Sequence, residues 1–135
     1  HTVKAARLKE LSRFFKIECR GSIRTFSSLD TGVLRKKLLT INGVGPETAD
    51  SILLYAFKRP VFVADAYAKR LFFRHGIVRE NVSYEELQNL VHGLFNRDVR
   101  AFNQYHAAIV ETGKRFCRKR HPLCGACPLK VFPHM

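Results

Sequence analysis

The segment Ile41-Asn-Gly-Val-Gly-Pro-Glu-Thr-Ala-Asp50 decides the fold, because its glycine-rich turn joins two runs of helical character. These runs cover residues 33–40 and 47–57. Neither glycine carries a Cβ atom, so the backbone can turn tightly and lie close to another surface. The turn also opens a helix, whose free N–H groups and positive dipole end favour an anion. The segment therefore predicts a helical hairpin that grips a phosphate group.

A lone carboxylate, Asp65, follows the apolar run Pro60-Val-Phe-Val-Ala64, one helix length after the hairpin. Two roles are open for it from the residues alone. It is a candidate catalytic acid, because it follows the predicted anion-binding turn in a very basic chain. It is also a candidate N-cap for a helix over residues 66–75, since aspartate favours that position.

Composition limits the partners that the chain can have. A net charge of +13 over 135 residues favours a polyanion, and we expect nucleic acid rather than an anionic membrane surface. Part of this charge is equally well explained as a solvated surface. No apolar run reaches the length of a membrane span, and no signal peptide is visible. Because the chain begins at His1 rather than methionine, we expect that an N-terminal portion precedes it.

Periodicity predicts a chain that is almost entirely helical. Ser83 and Glu86 form the sequence pattern of a capping box at the start of one helix. The other predicted helices begin near residues 3, 31, 47, 66 and 98. Residues 117–135 are expected to be irregular. The fold class predicted from these patterns is all-α.

The hairpin and its carboxylate resemble those of the helix-hairpin-helix DNA glycosylases of the endonuclease III superfamily. The residues that carry this resemblance are Leu39, Gly43, Val44, Gly45, Thr48, Ala49, Pro60 and Asp65. It implies a partial glycosylase fold, with the helix-hairpin-helix at about residues 32–57 and a C-terminal cysteine-containing loop. On this comparison residues 1–64 belong to the six-helix barrel lobe and residues 65–135 to the C-terminal helical lobe. It also implies that a substantial N-terminal part of the family's helical lobe is missing.

The same resemblance implies two groups of DNA-contacting residues. Hairpin residues Gly43, Val44, Gly45 and Thr48 would approach a phosphate, and the loop residues Arg118, Lys119 and Arg120 would meet the DNA backbone. For the loop, a solvated charge run that binds nothing is the alternative. The expected partner is double-stranded DNA with a damaged base, bound by a monomer that needs no membrane.

Cys117, Cys124 and Cys127 have the spacing C-x6-C-x2-C inside a basic loop, which favours a metal site. In the endonuclease III family this spacing continues to a fourth cysteine, and the set binds a [4Fe–4S] cluster. Here Pro133 stands at the fourth position and Cys19 lies far from it in sequence. Four arrangements remain open: a cluster with His134 as a non-cysteine ligand, a cluster with an open or exchangeable fourth site, a zinc site, and a loop without metal.

The resemblance implies base excision, in which a flipped nucleotide loses its base by cleavage of the N-glycosidic bond. Asp65 would stabilise the cationic sugar and orient the nucleophile. Bifunctional relatives carry a Schiff-base lysine at the position of Glu47, so this chain is expected to be monofunctional. Tyr67, two residues after Asp65, would pack against the flipped base, as in 3-methyladenine glycosylases, or would be an ordinary half-buried helix residue.

Three other functions remain open. They are a bifunctional glycosylase with abasic-site lyase activity, a non-catalytic DNA-binding module, and a metalloprotein whose basic face binds RNA. The chain is expected to be intracellular, where structural disulfides do not persist, with a cytoplasmic location of bacterial or archaeal type. A nuclear or organellar location remains open. The sequence predicts neither the damaged base nor whether these 135 residues are active by themselves.

Overall fold

The computed structural model describes residues 2–18 and 22–135 and divides the chain into two compact units. The first unit ends at Arg59 and the second runs from Pro60 to Met135. Every regular element in the described residues is helical, which confirms the predicted all-α class. None of these helices is long and apolar enough to cross a membrane. Cys19 lies outside the described residues.

The first unit contains four helices: α1 (Thr2–Glu18), α2 (Arg24–Ser27), α3 (Thr31–Leu39) and α4 (Pro46–Tyr55). Helix α3 begins where the Asp30 carboxylate accepts hydrogen bonds from two backbone amides, so Asp30 is its N-cap. Helices α3 and α4 pack against each other. Their fully buried side chains are Leu34, Leu38, Ala49, Leu53, Leu54 and Asp50. A cluster of aromatic rings extends this core and contains Phe14, Phe15, Phe26 and Phe57.

The second unit contains α5 (Ala66–Arg74), α6 (Tyr84–Leu94), α7 (Val99–Arg115) and a short 3₁₀ turn, Cys124–Ala126. Helices α5 and α7 pack against each other along their length. The core of this unit is built around buried Phe62 and Phe102, whose rings meet edge to face at 5.9 Å. The segment 60–65, which leads into α5, is extended and almost completely buried.

The predicted capping box at α6 is confirmed. The Ser83 hydroxyl accepts from the Glu86 amide at 3.1 Å, and the Glu86 carboxylate accepts from the Ser83 amide at 2.8 Å. The backbone amide of Ser83 is the main cause of a lowered pKa at Glu86, and nearby Arg79 lowers it further. Helix α6 therefore begins at a fixed residue, and this determines which of its side chains face segment 60–65.

Candidate functional site

The hairpin between α3 and α4 closes through backbone hydrogen bonds. The Ile41 amide donates to the Leu38 carbonyl at 3.2 Å, and the Val44 amide donates to the Ile41 carbonyl at 3.0 Å. Ile41 and Val44 are buried, so the turn is anchored on the apolar core of its unit. Gly43 has φ +84°, a conformation that L-residues with a Cβ rarely adopt. This glycine is therefore required by the turn itself.

Gly45 has a different role in the same turn. Its φ of −93° is accessible to other residues, and a Cβ built on it would meet nothing within 4 Å. It is the N-cap of α4 and supplies no side-chain cap, while Pro46 occupies the first turn. The first amides of this helix therefore have no capping side chain, and the position of a Gly45 Cβ is open. This is the arrangement that an approaching anion requires.

An arginine from α1 lies directly against the turn. A Cβ placed on Gly43 would fall 2.5 Å from Arg7 Cγ and 2.9 Å from Arg7 Cδ. The aliphatic stem of Arg7 therefore packs on the bare backbone of Gly43. The sequence analysis did not find this contact, because nothing in the spacing of residues 7 and 43 connects them.

Asp65 lies at the N-terminus of α5 and uses both of its carboxylate oxygens. Oδ1 accepts from the Ala68 amide at 2.8 Å, so the predicted capping role is confirmed. Oδ2 lies 3.3 Å from Nε2 of His106, which projects from α7. The two side chains are only 8% and 13% exposed. A carboxylate so well covered has a restricted orientation, which is a requirement for a group that acts on a substrate.

Two side chains of α6 hold the segment that leads to Asp65. Gln88 Nε2 donates to the Phe62 carbonyl at 2.6 Å, and the Phe62 amide donates to His92 Nε2 at 2.9 Å. Because an extended buried segment has no ladder partner, its backbone polar groups need side-chain partners. Gln88 and His92 meet this need at Phe62, and so limit movement of the chain three residues before Asp65.

Tyr67 packs within the second unit against α7. A Cβ on Gly113 would fall 2.5 Å from Tyr67 Cδ1, so the ring lies directly on the glycine backbone. The guanidinium of Arg70 stands 5.1 Å from the centre of the same ring. These contacts are those of a half-buried helix residue, which was one of the two roles left open by the sequence.

Two arginines of α5 hold the start of the cysteine loop. Arg70 Nε donates to the Cys117 carbonyl at 2.7 Å, and Arg74 Nη1 donates to the Arg118 carbonyl at 2.7 Å. Arg74 also reaches the Cys117 sulfur at 3.4 Å and the Lys119 carbonyl at 3.3 Å. No sequence pattern assigned a role to either arginine, although their i, i+4 spacing places them on one helix face. These hydrogen bonds therefore hold the start of the loop in place without a metal ion.

The other predicted DNA-contacting residues are accessible. Thr48 is exposed on the first turn of α4, as is Glu47, which stands at the position of the lysine in bifunctional relatives. Arg118, Lys119 and Arg120 are exposed on the loop after α7. The hairpin residues and the loop residues belong to different compact units.

The cysteine loop brings three thiols to one cavity. Cys117, Cys124 and Cys127 line it together with His75 and His134. His134 Nδ1 lies 2.9 Å from the carbonyl of Phe132, and Pro133 contributes no donor side chain. In residues 2–18 and 22–135, no three histidine, cysteine or acidic side chains are grouped closely enough to hold one metal ion. A cluster held by four thiolates therefore does not fit the residues present.

Comparison with known proteins identifies homologues. The chain is 46% identical over 134 residues to a Methanocaldococcus jannaschii protein named as a DNA repair glycosylase, covering 98% of this chain and 60% of that protein. It is 33% identical over 127 residues to endonuclease III of Thermotoga maritima, covering 94% of this chain and 54% of that enzyme. No family profile matches the chain. The chain thus spans a little over half the length of these relatives.

A solved structure shows the same fold. The structure of a trapped endonuclease III–DNA covalent intermediate superposes with a TM-score of 0.76 at 22% sequence identity, covering 96% of this chain and 56% of that chain. The chain therefore has the all-α fold of endonuclease III. Within that fold class, the chain is a homologue of proteins named DNA repair glycosylase and endonuclease III.

Proposed function

We propose that the complete protein is a base-excision DNA glycosylase that cleaves the N-glycosidic bond of a damaged base in double-stranded DNA. The observation that carries this proposal is Asp65, a covered carboxylate whose two oxygens are held by the Ala68 amide and by His106. Homology to proteins named DNA repair glycosylase and endonuclease III supports it. We further propose that the protein acts as a monomer in the cytoplasm, where DNA is accessible and thiols stay reduced.

Asp65 would act on the sugar of the flipped nucleotide. As the bond from C1′ to the base breaks, positive charge develops on the sugar, and a carboxylate beside it lowers the energy of that state. Water then adds to C1′ and leaves a hydroxyl group there. The departing base takes the bonding electron pair and finally the proton lost by the water. The orientation of Asp65 favours this role, because a held carboxylate needs no rearrangement during the reaction.

The reaction is proposed to stop after base release. Glu47 stands at the position that a Schiff-base lysine occupies in bifunctional relatives, and a carboxylate has no amine to form an imine. The expected products are free base and an intact abasic strand that breaks only after alkali treatment.

DNA binding is proposed to use two exposed surfaces. The uncapped amides at Gly45 would bind one phosphate, and the basic loop at Arg118, Lys119 and Arg120 would bind others. A solved structure of an endonuclease III–DNA complex with the same fold supports DNA as the partner. The role of Tyr67 against a flipped base stays a proposal that requires its ring to leave Gly113.

The test is base release by the complete protein on duplexes that each carry a different lesion, assayed before and after alkali. Asp65→Asn keeps the side-chain shape and is expected to lower base release by at least about 100-fold, with DNA binding retained. An active Asp65→Asn variant would reject the catalytic assignment. Complete protein that binds DNA but releases no base from any duplex would favour a non-catalytic DNA-binding module.

The bifunctional alternative has its own measurement. The protein of known structure that shares this fold forms a covalent intermediate with DNA. Nicking of DNA by this protein before alkali treatment, together with a borohydride-trapped complex, would show that an amine from a residue at another position attacks C1′.

For the cysteine loop we propose an iron–sulfur cluster held by Cys117, Cys124 and Cys127, with His134 as a non-cysteine fourth ligand. The support is that the three thiols and His134 line one cavity. A loop without metal is one alternative. Zinc bound by the same residues is the other, and it would require these side chains to move closer together than they lie in the described part of the chain. Protein purified without oxygen is expected to be brown with about four irons per chain, and Cys124→Ser should lose them. One zinc per chain, or neither metal, would reject the cluster.

A further inference from the structure

His106, which no sequence pattern singled out, contacts the carboxylate of Asp65 with its side chain. Its Nε2 is 3.3 Å from Oδ2 of Asp65, across the contact between α7 and α5. At 13% exposure the histidine side chain is largely removed from water. It thus faces the one carboxylate oxygen that does not cap α5, since Oδ1 accepts from the Ala68 amide.

The two oxygens of the Asp65 carboxylate are held by residues of two different helices. The Ala68 amide belongs to α5 itself, so it holds Oδ1 relative to the helix that Asp65 begins. His106 belongs to α7, so it holds Oδ2 relative to a second helix. With a single contact the carboxylate plane can still rotate about χ2, a torsion with a broad energy profile. Contacts at both oxygens restrict that rotation.

The chemistry of imidazole suits this task. A ring that carries hydrogen on Nε2 donates to a carboxylate in both its neutral and its protonated form. Such a donor orients Asp65 and leaves its negative charge in place.

We propose that His106 is a positioning residue, which holds Oδ2 of Asp65 and thereby sets the orientation of the carboxylate toward the sugar. This role rests on the proposed glycosylase function for its effect on rate, but the contact itself can be tested without activity. His106 does not touch the reacting atoms and acts only through Asp65.

The kinetic test uses the complete protein under single-turnover conditions, which separate base release from product dissociation. His106→Ala is expected to lower the rate of base release by up to about 100-fold, with the Kd for lesion-bearing DNA unchanged. His106→Gln keeps a donor group and is expected to recover part of that loss. The matched control is Gln104→Ala, an exposed truncation on the same helix, which should leave the rate unchanged. An unchanged rate in His106→Ala, or an equal loss in Gln104→Ala, would overturn the proposal.

The spectroscopic test does not depend on base release. The ¹⁵N resonances of the His106 ring are expected to shift in Asp65→Asn, because the charge that faces Nε2 is removed. The ring of His75, whose Nδ1 lies 2.9 Å from the Pro133 carbonyl, serves as the internal reference. Unshifted His106 resonances would overturn the contact whatever the enzyme does. Shifted resonances in a protein that releases no base would retain the contact and reject only the glycosylase function.

Discussion

At the scale of single residues, the hairpin depends on a carboxylate with no exposure to solvent. Asp50 on α4 receives two hydrogen bonds from Arg35 on α3, at 2.6 Å to Oδ1 and 3.0 Å to Oδ2. This fork geometry matches guanidinium to carboxylate and ties the two helices of the hairpin together. A substitution that removes only one member of this ion pair is costly for the free energy of folding, because the charge of the other member stays buried.

We therefore predict that Arg35→Met, which keeps the aliphatic stem and removes the charge, lowers the free energy of unfolding by about 3 kcal/mol. Urea denaturation followed by circular dichroism measures this change. Lys36→Met is the matched control, because Lys36 is exposed on the next position of α3 and should change stability by less than about 0.5 kcal/mol. Equal stabilities of the two variants would show that the ion pair does not hold the hairpin.

At the scale of elements, the two glycines of the turn serve different purposes. Gly43 has a positive φ and lies under Arg7, whereas Gly45 has an ordinary φ and open space around it. Gly43 is needed for folding of the hairpin, and Gly45 leaves room for a phosphate group at the start of α4. A motif that looks uniform in sequence therefore contains one structural and one accessible glycine.

This difference predicts opposite results for substitutions at the two positions. Gly43→Ala should destabilise the protein by about 1–2 kcal/mol, since it forces a Cβ into left-handed backbone and against Arg7. Gly45→Val should cost at most about 1 kcal/mol of stability, because valine is a poorer N-cap than glycine, and should weaken DNA binding, because a branched side chain blocks approach to the α4 amides. Thermal unfolding and fluorescence anisotropy with a short duplex measure the two effects. Tight DNA binding by Gly45→Val would exclude the turn as a phosphate site.

At the scale of the whole molecule, the net positive charge is the property that governs the predicted binding to DNA. A net charge of +13 and an exposed basic loop predict DNA binding that is independent of base sequence and falls steeply as salt rises. The slope of log K against log salt counts the phosphates that the protein neutralises.

Reversal of charge at Arg118 and Arg120 is expected to reduce that slope by about two, one for each lost phosphate contact. Lys4→Glu with Lys9→Glu makes the same change of net charge on exposed positions of α1 and is the control. A similar reduction in both double variants would show that the effect follows net charge and not the loop. A slope near zero in the unmodified protein would remove DNA as its partner.

The sequence by itself determined the features that depend on local chemistry. The helical class, the caps at Asp65 and Ser83, and the turn at Gly43 follow from short-range hydrogen bonding and backbone sterics. Such signals lie within a few residues of one another, so one stretch of chain contains both the group and its partner.

Only the tertiary structure decided which distant residues meet. His106 at Asp65, Gln88 and His92 at Phe62, and Arg74 at Cys117 are each separated by at least 26 residues. It also decided exposure: the apolar pattern of α1 includes Val3 and Leu8, yet they are 62% and 64% exposed. Periodicity identifies the apolar face of a helix, whereas the packing of other elements determines whether that face is covered.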